Sequence, residues 1–138
     1  MTDVPRRLRR TVRTRAGGRC EYCRMPEDLD VLGFQVDHVV ARQHGGRTVP
    51  SNLAFACAPC NGSKGPNVAG VDPRTKTITP LFNLRKHRWP DHLRWRGPVL
   101  VGLTARGRAT IAVLRINAEV NVQARLALID EGSWRPGA

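Results

Sequence analysis

The stretch from Phe34 to Lys64, FQVDHVVARQHGGRTVPSNLAFACAPCNGSK, decides the fold. It combines a carboxylate, two histidines, two asparagines, a lysine and a pair of cysteines in one compact segment. A scaffold alone does not need so many chemically active side chains close together. The stretch therefore indicates a site at which chemistry takes place.

Two Cys-x-x-Cys pairs predict a structural zinc site. One pair is Cys57 and Cys60 inside the quoted stretch, and the other is Cys20 and Cys23 before it. Four thiolates in two close pairs are typical of tetrahedral zinc. In a reducing compartment such pairs are better metal ligands than disulfides. We therefore expect these four cysteines to bind one zinc ion instead of standing as unpaired buried thiols.

The segment between the cysteine pairs resembles a known nuclease family. From Arg13 to about Gly65 the chain is similar to the HNH endonucleases, whose ββα-metal site is often built between two zinc-binding Cys-x-x-Cys pairs. In that family the residue before the motif histidine and the last motif residue bind the catalytic cation, and the histidine activates water. The resemblance implies that Asp37 and Asn61 are the metal ligands and that His38 is the general base.

The motif departs from the family name at its last position. Asn52 matches the middle asparagine, for which the resemblance implies support of the loop that presents the histidine, and Asn61 stands where the name has His. This HNN variant has an amide oxygen there, which favours Mg²⁺ or Mn²⁺ as the catalytic cation. Consecutive residues of a strand point to opposite faces, so Asp37 and His38 converge only if the strand twists, bulges or ends there.

Other basic residues of the stretch are candidate nucleic-acid contacts. Arg42, Arg47 and Lys64 either clamp phosphates or are ordinary solvated charges. His44 competes with His38 as the base, but the glycines that follow it indicate a mobile turn. We therefore interpret His44 as a phosphate contact.

Composition points to a polyanionic partner. The 138 residues carry a formal net charge of +12. Zinc on four thiolates changes this by +2 − 4 = −2, which leaves about +10 and still favours nucleic acid, most simply double-stranded DNA. No apolar run approaches a membrane span, and the start of the chain, MTDVPRRLRR, lacks the apolar region of a secretory signal. We expect a cytoplasmic protein with no membrane partner.

Hydrophobic periodicity predicts the elements of the core, which we place at residues 13–70. They are strands at Leu32 to Val40 and Leu53 to Ala56 and a short helix that starts near Pro59 and ends at Gly65. A basic helix is expected before the core, within Arg6 to Gly18, and Gly17-Gly18 stops it. The basic helix either contacts phosphates or is a solvated charged face.

Residues 71–138 predict a strand-plus-helix extension within a single domain of residues 1–138. Strands are expected at Thr75 to Leu81 and Val99 to Leu103, followed by a long helix from Thr104 to Gly132. Its apolar stripe is Ile111, Leu114, Ala118, Val122, Leu126 and Ile129, and Asn117 and Asn121 allow a break midway. The intervening LFNLRKHRWPDHLRWRG suits either phosphate contact with aromatic stacking or a tryptophan core.

The predicted fold class is α+β: a zinc-stapled ββα-metal (HNH) core with an N-terminal basic helix and a C-terminal strand-plus-helix extension. The predicted function is that of a metal-dependent endonuclease that hydrolyses DNA phosphodiester bonds. The alternatives are a non-catalytic zinc-containing module that binds nucleic acid and an RNA-cleaving nuclease or toxin with the same machinery.

Overall fold

A computed structural model describes residues 4–30 and 33–137. Five helices and six strands follow one another in this part of the chain: α1 Arg6–Arg15, β1 Gln35–His38, β2 Leu53–Ala56, α2 Ala58–Lys64, β3 Ala69–Val71, β4 Ile78–Pro80, α3 Trp89–His92, β5 Leu93–Arg96, β6 Val99–Gly102, α4 Ala105–Leu114 and α5 Glu119–Asp130. The mixture of helices and small sheets confirms the predicted α+β class. Among the described residues, every helix is too short or too polar to cross a membrane.

The chain divides into two compact units. The first unit contains residues 1–68 and 83–86, and the second contains residues 69–82 and 87–138. The division lies close to the boundary expected after residue 70. Within the first unit, the guanidinium of Arg85 donates a hydrogen bond to the carboxylate of Glu21, which ties residues 83–86 to the first cysteine pair. The single-domain organisation stays a prediction.

The first unit contains the predicted ββα arrangement. Strands β1 and β2 are antiparallel, with Gln35 opposite Ala56 and His38 opposite Leu53. All four residues of β2 are buried, as expected of a strand with the sequence LAFA. Helix α2 follows directly. Strand β1 is shorter than predicted because it ends at His38, and residue 32 of the predicted strand lies outside the described residues.

Helix α1 packs one apolar stripe against this hairpin. Val12 is fully buried, and Leu8 and Ala16 pack on the same cluster of side chains, which includes Leu53 and Phe55 of β2. The spacing of four residues places the stripe on one helical face. The predicted basic helix is thus confirmed, although it ends at Arg15, before the left-handed Gly17 and Gly18.

The second unit contains two β-hairpins and three helices, which the sequence predicted incompletely. The strand expected over Thr75 to Leu81 is confined to β4, and it pairs with β3, which was not predicted. The turn between them explains this error, because Asp72 accepts hydrogen bonds from the backbone of Arg74 and the hydroxyl of Thr75. Strand β6 is confirmed over Val99–Gly102 and pairs with β5, which was not predicted.

The predicted long helix is interrupted between α4 and α5, at the midway position where Asn117 allowed a break. Arg115 adopts a left-handed conformation with φ 53°, and the amide of Asn117 bonds both backbone groups of Leu100 in β6. Helix α4 begins where expected, since the Thr104 hydroxyl accepts a hydrogen bond from the backbone of Gly107. The apolar stripe fails at Leu126, whose exposed fraction is 37%.

Trp95 has a packing role in the second unit. Its ring lies edge-on to Trp134, with a centroid distance of 5.1 Å, and the Arg125 guanidinium lies 5.0 Å from its centroid. Arg125 is itself buried and donates to the carbonyl of Pro98. The core interpretation of this tryptophan therefore agrees with its surroundings better than base stacking does.

Candidate active site and metal centre

The four cysteines form one buried cluster in the first unit. Their sulfur atoms all lie within 4.8 Å of one another, and the Sγ atoms of Cys23 and Cys57 are 3.8 Å apart. Thiolates at 2.3 Å from a tetrahedral zinc ion are separated by about 3.8 Å. The cluster therefore fits the structural zinc that the sequence predicted.

Backbone geometry presents each pair of thiols toward the other. Cys20 and Cys23 belong to a tight turn in which the amide of Arg24, at φ 68°, donates to the Cys20 carbonyl. Glu21 joins this turn to β2, because it donates its amide to the Phe55 carbonyl and accepts the Phe55 amide with its carboxylate. The second pair needs no such turn, because Cys57 precedes α2 and Cys60 lies in its first turn.

Asp37 lies beside this cluster with two partners for its carboxylate. Its exposed fraction is 6%, and Oδ2 accepts a hydrogen bond of 2.8 Å from the Tyr22 hydroxyl. The ammonium of Lys64 lies 3.1 Å from the same oxygen and also donates to the carbonyl of His38 at 3.1 Å. Lys64 is equally buried, at 2% exposure, because α2 packs on β1. The pair is therefore a buried ion pair fixed between a strand and a helix.

Burial dominates the electrostatics of Asp37. Loss of water raises the pKa of its carboxyl group, and the charge of Lys64 and the hydrogen bond from Tyr22 oppose that rise. The pKa of Tyr22 is raised as well, first by burial and then by the negative charge of Asp37. Tyr22 consequently keeps its proton and acts as a hydrogen-bond donor to the carboxylate.

His38 is held by a residue that the sequence did not single out. Its Nε2 atom lies 2.9 Å from the hydroxyl oxygen of Thr48. Partial burial lowers the pKa of His38, while the charge of Asp37 acts in the opposite sense. The imidazole is therefore mostly neutral at pH 7, which is the state in which a histidine accepts a proton.

Asp37, His38 and Asn61 line one open cavity of about 450 Å³. Asp37 and His38 line the same cavity although they are consecutive residues, and β1 ends at His38. Asn61 comes from α2 and donates its amide nitrogen to the side-chain oxygen of Gln35 at 2.5 Å. This bond occupies the amide nitrogen of Asn61. The amide oxygen of Asn61 has no hydrogen-bond donor among the described residues. A carboxylate and an amide oxygen thus lie at the same cavity as an imidazole.

Asn52 fastens the loop that follows His38. Its amide oxygen accepts the backbone N–H of Val40 at 2.9 Å, and its amide nitrogen donates to the carbonyls of Val40 and Arg47. Gly46 lies so close to this loop that a Cβ atom there would be 1.7 Å from the Val40 carbonyl oxygen. The second glycine of the stretch is therefore required by close packing.

The candidate phosphate contacts occupy different environments. Arg42 is exposed and lines the cavity, whereas His44 and Arg47 are exposed on the turn beyond it. Lys64 is buried against Asp37. Of the four candidate phosphate contacts, the structure thus brings Arg42 to the cavity and buries Lys64 against Asp37.

Three side chains that organise the site were not predicted. Tyr22 and Gln35 each bond a candidate metal ligand, and Thr48 bonds the candidate base. Tyr22 could have been singled out from the sequence, because a residue between Cys20 and Cys23 must lie near the candidate zinc site. Nothing in the local pattern marks Gln35 or Thr48, since both act through contacts with distant parts of the chain.

Comparison with known protein families gives a match within the first unit. Residues 20–67 match the family model described as HNH endonuclease, which confirms the resemblance over the segment that carries the cysteines and the cavity. An HNH domain indicates a nuclease, and HNH nucleases act on nucleic acid. Searches of curated proteins and of solved structures find no match to this chain.

Proposed function

We propose that this protein is a metal-dependent endonuclease that hydrolyses phosphodiester bonds of double-stranded DNA. The observation that carries the proposal is the convergence of Asp37, His38 and Asn61 on one open cavity, with the Arg42 side chain at its wall. The net charge of +12 supports a polyanionic substrate. The four thiolates, which need a reducing compartment, support a cytoplasmic location.

The donor set fits a hard divalent cation. The carboxylate of Asp37 and the amide oxygen of Asn61 would hold Mg²⁺ or Mn²⁺, both of which prefer oxygen ligands. When bound, such a cation stabilises negative charge on the phosphoryl and departing oxygens. Tyr22 and Gln35 orient the two ligands through their hydrogen bonds.

His38 is the residue that we assign as general base. If its Nε2 carries the proton and donates it to Thr48, the Nδ1 lone pair is left to accept a proton from the attacking water. Asn52 holds the following loop in place, so the ring keeps one position relative to Asp37. His38 therefore activates water, and Thr48 fixes the ring for that step.

Phosphate binding is assigned to the cationic side chains around the cavity. Arg42 lies at the wall, and Arg47 extends the positive surface along the turn, where the exposed His44 can form a hydrogen bond with a phosphate. Lys64 supplies positive charge from below while it holds the carboxylate of Asp37. A negatively charged backbone is thus drawn to the side of the cavity where His38 and Asp37 act.

The test is cleavage of supercoiled plasmid with Mg²⁺ or Mn²⁺. The wild-type protein should produce nicked or linear DNA, and His38→Ala should lower the rate by roughly 10²–10⁴ through loss of assisted proton transfer. Zinc content and DNA affinity should stay unchanged in this variant. The matched control is His44→Ala, which removes an exposed imidazole from the turn and should keep most of the activity.

Two outcomes would overturn parts of the proposal. If His44→Ala abolishes cleavage while His38→Ala retains it, the assignment of the base is wrong. If the wild-type protein cuts neither DNA nor a labelled RNA with any divalent cation but binds them, the protein is a non-catalytic zinc module. Cleavage of RNA alone would make it a ribonuclease with the same residues.

A further inference from the structure

Helix α1 carries more positive charge than the first unit uses for folding. Two of its six arginines have partners: Arg13 donates to Glu27 at 2.8 Å, and Arg15 donates to the carbonyls of Pro50 and Leu53. The other four have no acceptor for their guanidinium groups within residues 4–30 and 33–137, and they are Arg6, Arg7, Arg9 and Arg10. All four are exposed.

Three of these unpaired arginines share a groove. Arg6, Arg9 and Arg10 lie on one side of a groove of about 300 Å³, whose other walls include Phe34 and Phe55. The spacing of three and four residues places these arginines on one helical face. Arg7 belongs to a different face and does not line the groove. Most of the unpaired positive charge of α1 is therefore on the helical face that lines the groove. A surface that is only solvated does not require this uneven distribution.

The floor of the groove is apolar and partly aromatic. The Phe34 and Phe55 rings pack with a centroid distance of 5.4 Å, and Phe34 is half-buried, so part of its ring remains accessible. A row of guanidinium groups beside an accessible aromatic ring matches a nucleotide, which has an anionic phosphate and an apolar sugar and base. Glu27, the acidic residue of the groove, is neutralised by Arg13.

The groove adjoins the candidate active site. Val36 of β1 lines both the groove and the cavity that contains Asp37 and His38. Val36 and His38 are two positions apart on an extended strand, which corresponds to roughly 7 Å and to about two nucleotide steps along a duplex axis. A strand whose phosphate lies at His38 would therefore reach the groove within a few nucleotides.

We infer that the groove between α1 and β1 is a second subsite for the DNA strand that leads away from the scissile phosphate. Arg6, Arg9 and Arg10 bind its backbone, and Phe34 contacts a sugar or base. The inference rests on the proposed function, because it assigns this groove to the same substrate. It resolves the two interpretations of the basic helix in favour of phosphate contact for one face only.

The experiment compares Arg9→Gln and Arg10→Gln with the matched control Arg7→Gln. Each variant loses one unpaired, exposed charge from the same helix, and Gln is about as good a helix former as Arg. Affinity for a fluorescein-labelled duplex is measured by anisotropy at several salt concentrations, without added divalent cation. Each groove variant should reduce the salt slope by about 1 and weaken binding roughly eightfold at about 0.1 M salt, because each lost phosphate contact contributes about 0.9 to the slope. Arg7→Gln should leave the slope unchanged.

Cleavage assays separate this inference from the proposed function. In single-turnover cleavage, each groove variant should need roughly eightfold more protein than the wild type to reach half of its maximal rate, because it binds the strand more weakly, whereas Arg7→Gln should need no more protein than the wild type. Equal effects of Arg7→Gln and Arg9→Gln on the slope would overturn the groove while wild-type cleavage still supports the nuclease. Failure of the wild-type protein to bind DNA at all would overturn both.

Discussion

Among the described residues, each compact unit contains a buried aspartate next to a cation, Asp37 in the first and Asp72 in the second. The two carboxylates differ in the number of hydrogen-bond donors that they have. In the second unit Asp72 receives two hydrogen bonds from Arg108, at 3.0 and 2.9 Å, and further bonds from the backbone of Arg74 and the hydroxyl of Thr75. In the first unit the partners of Asp37 within residues 4–30 and 33–137 are the Tyr22 hydroxyl and the Lys64 ammonium.

The pKa shifts of the two carboxyl groups run in opposite directions. Bonds from Arg108 hold the pKa of Asp72 well below its usual range, whereas burial raises the pKa of Asp37 despite Lys64. The bidentate bonds from Arg108 are charge-assisted and strong, and they account for Asp72 through the fold of the second unit. Asp37 is buried, incompletely bonded and next to a cavity, which is the arrangement expected of a residue retained for chemistry.

Histidine and threonine pairs repeat this contrast. His92 of the second unit lies 2.7 Å from the Thr104 hydroxyl, which also caps α4 by accepting the Gly107 amide. His38 lies 2.9 Å from Thr48, which caps no helix, and His38 lines the cavity. The same bond therefore supports a helix start in one unit and orients a candidate base in the other.

The largest expected difference between the units is their dependence on zinc. Replacing Cys57 and Cys60 by Ser should unfold the first unit, because the binding energy of a structural zinc is folding energy on the order of 10 kcal/mol. All three tryptophans lie in the second unit, and the single tyrosine, Tyr22, lies in the first. Chelation should therefore lower the far-UV circular dichroism while tryptophan emission stays native.

Metal analysis supplies the control for this prediction. The wild-type protein should contain about one zinc per chain, and release of that zinc should coincide with the loss of circular dichroism. A well-folded preparation without zinc would refute the metal centre. Parallel loss of the tryptophan signal would show that the two units unfold as one domain.

The next largest effect on stability is expected from removing the cation next to each buried aspartate, which is Lys64 for Asp37 and Arg108 for Asp72. Lys64→Met removes one partner of a buried ion pair and should cost about 3–5 kcal/mol of stability. If the cavity binds Mn²⁺ through Asp37, this ion should stabilise Lys64→Met more than it stabilises the wild-type protein, because a second positive charge can neutralise the carboxylate. Thermal unfolding with and without Mn²⁺ measures this difference.

Arg108→Met is the matched control in the second unit. It also removes a cation from a buried aspartate, but Asp72 keeps its bonds from Arg74 and Thr75 and lies outside the candidate metal site. Mn²⁺ should give this variant no more stabilisation than the wild-type protein receives. Equal rescue of both variants would mean that Mn²⁺ acts nonspecifically.

Lowering the pH should have a smaller effect on the free energy of unfolding, and the direction of this effect follows from the lowered pKa of Asp72. A depressed carboxyl pKa contributes stability that is present above the ordinary value of 3.8 and is lost as the pH falls through the folded-state value. Denaturant unfolding followed by tryptophan emission should show Asp72→Asn less stable than the wild-type protein at neutral pH. The gap should narrow below about pH 4. A gap that stays constant down to about pH 2 would contradict the assigned shift.

Local patterns predicted the first unit well, because its elements are specified by nearby residues. The cysteine spacing, the stripe of α1 and the strand LAFA each decide one element without help from distant contacts. The second unit was predicted less well, since its elements depend on long-range bonds. Asn117 breaks the long helix by bonding Leu100 of β6, a contact across 17 positions that no periodicity reveals.

The candidate site likewise combines residues that were assigned from the sequence with residues that only long-range contacts identify. Asp37, His38 and Asn61 were assigned through the family resemblance, and the structure brings them to one cavity. Their supporting residues were missed, because hydroxyl and amide side chains such as Thr48 and Gln35 are common on surfaces and become informative only once their partners are known. Lys64 was predicted as a phosphate contact because of its charge. Its burial against Asp37 results from the packing of α2 on β1, which the charges in the sequence do not predict.

The smallest expected effect tests whether the bond from Thr48 to His38 serves chemistry, whereas the bond from Thr104 to His92 serves folding. Thr48→Val removes one hydrogen bond worth about 1 kcal/mol and should lower the single-turnover cleavage rate by roughly fivefold to tenfold, with little change in the protein concentration that gives half the maximal rate. Thr48→Ser retains a hydroxyl and should restore most of the rate. Thr104→Val should instead lower the thermal midpoint, because it removes the cap of α4, and leave cleavage at saturating protein unchanged. If Thr48→Ser is as slow as Thr48→Val, or if both act only on thermal stability, then Thr48 does not position the base.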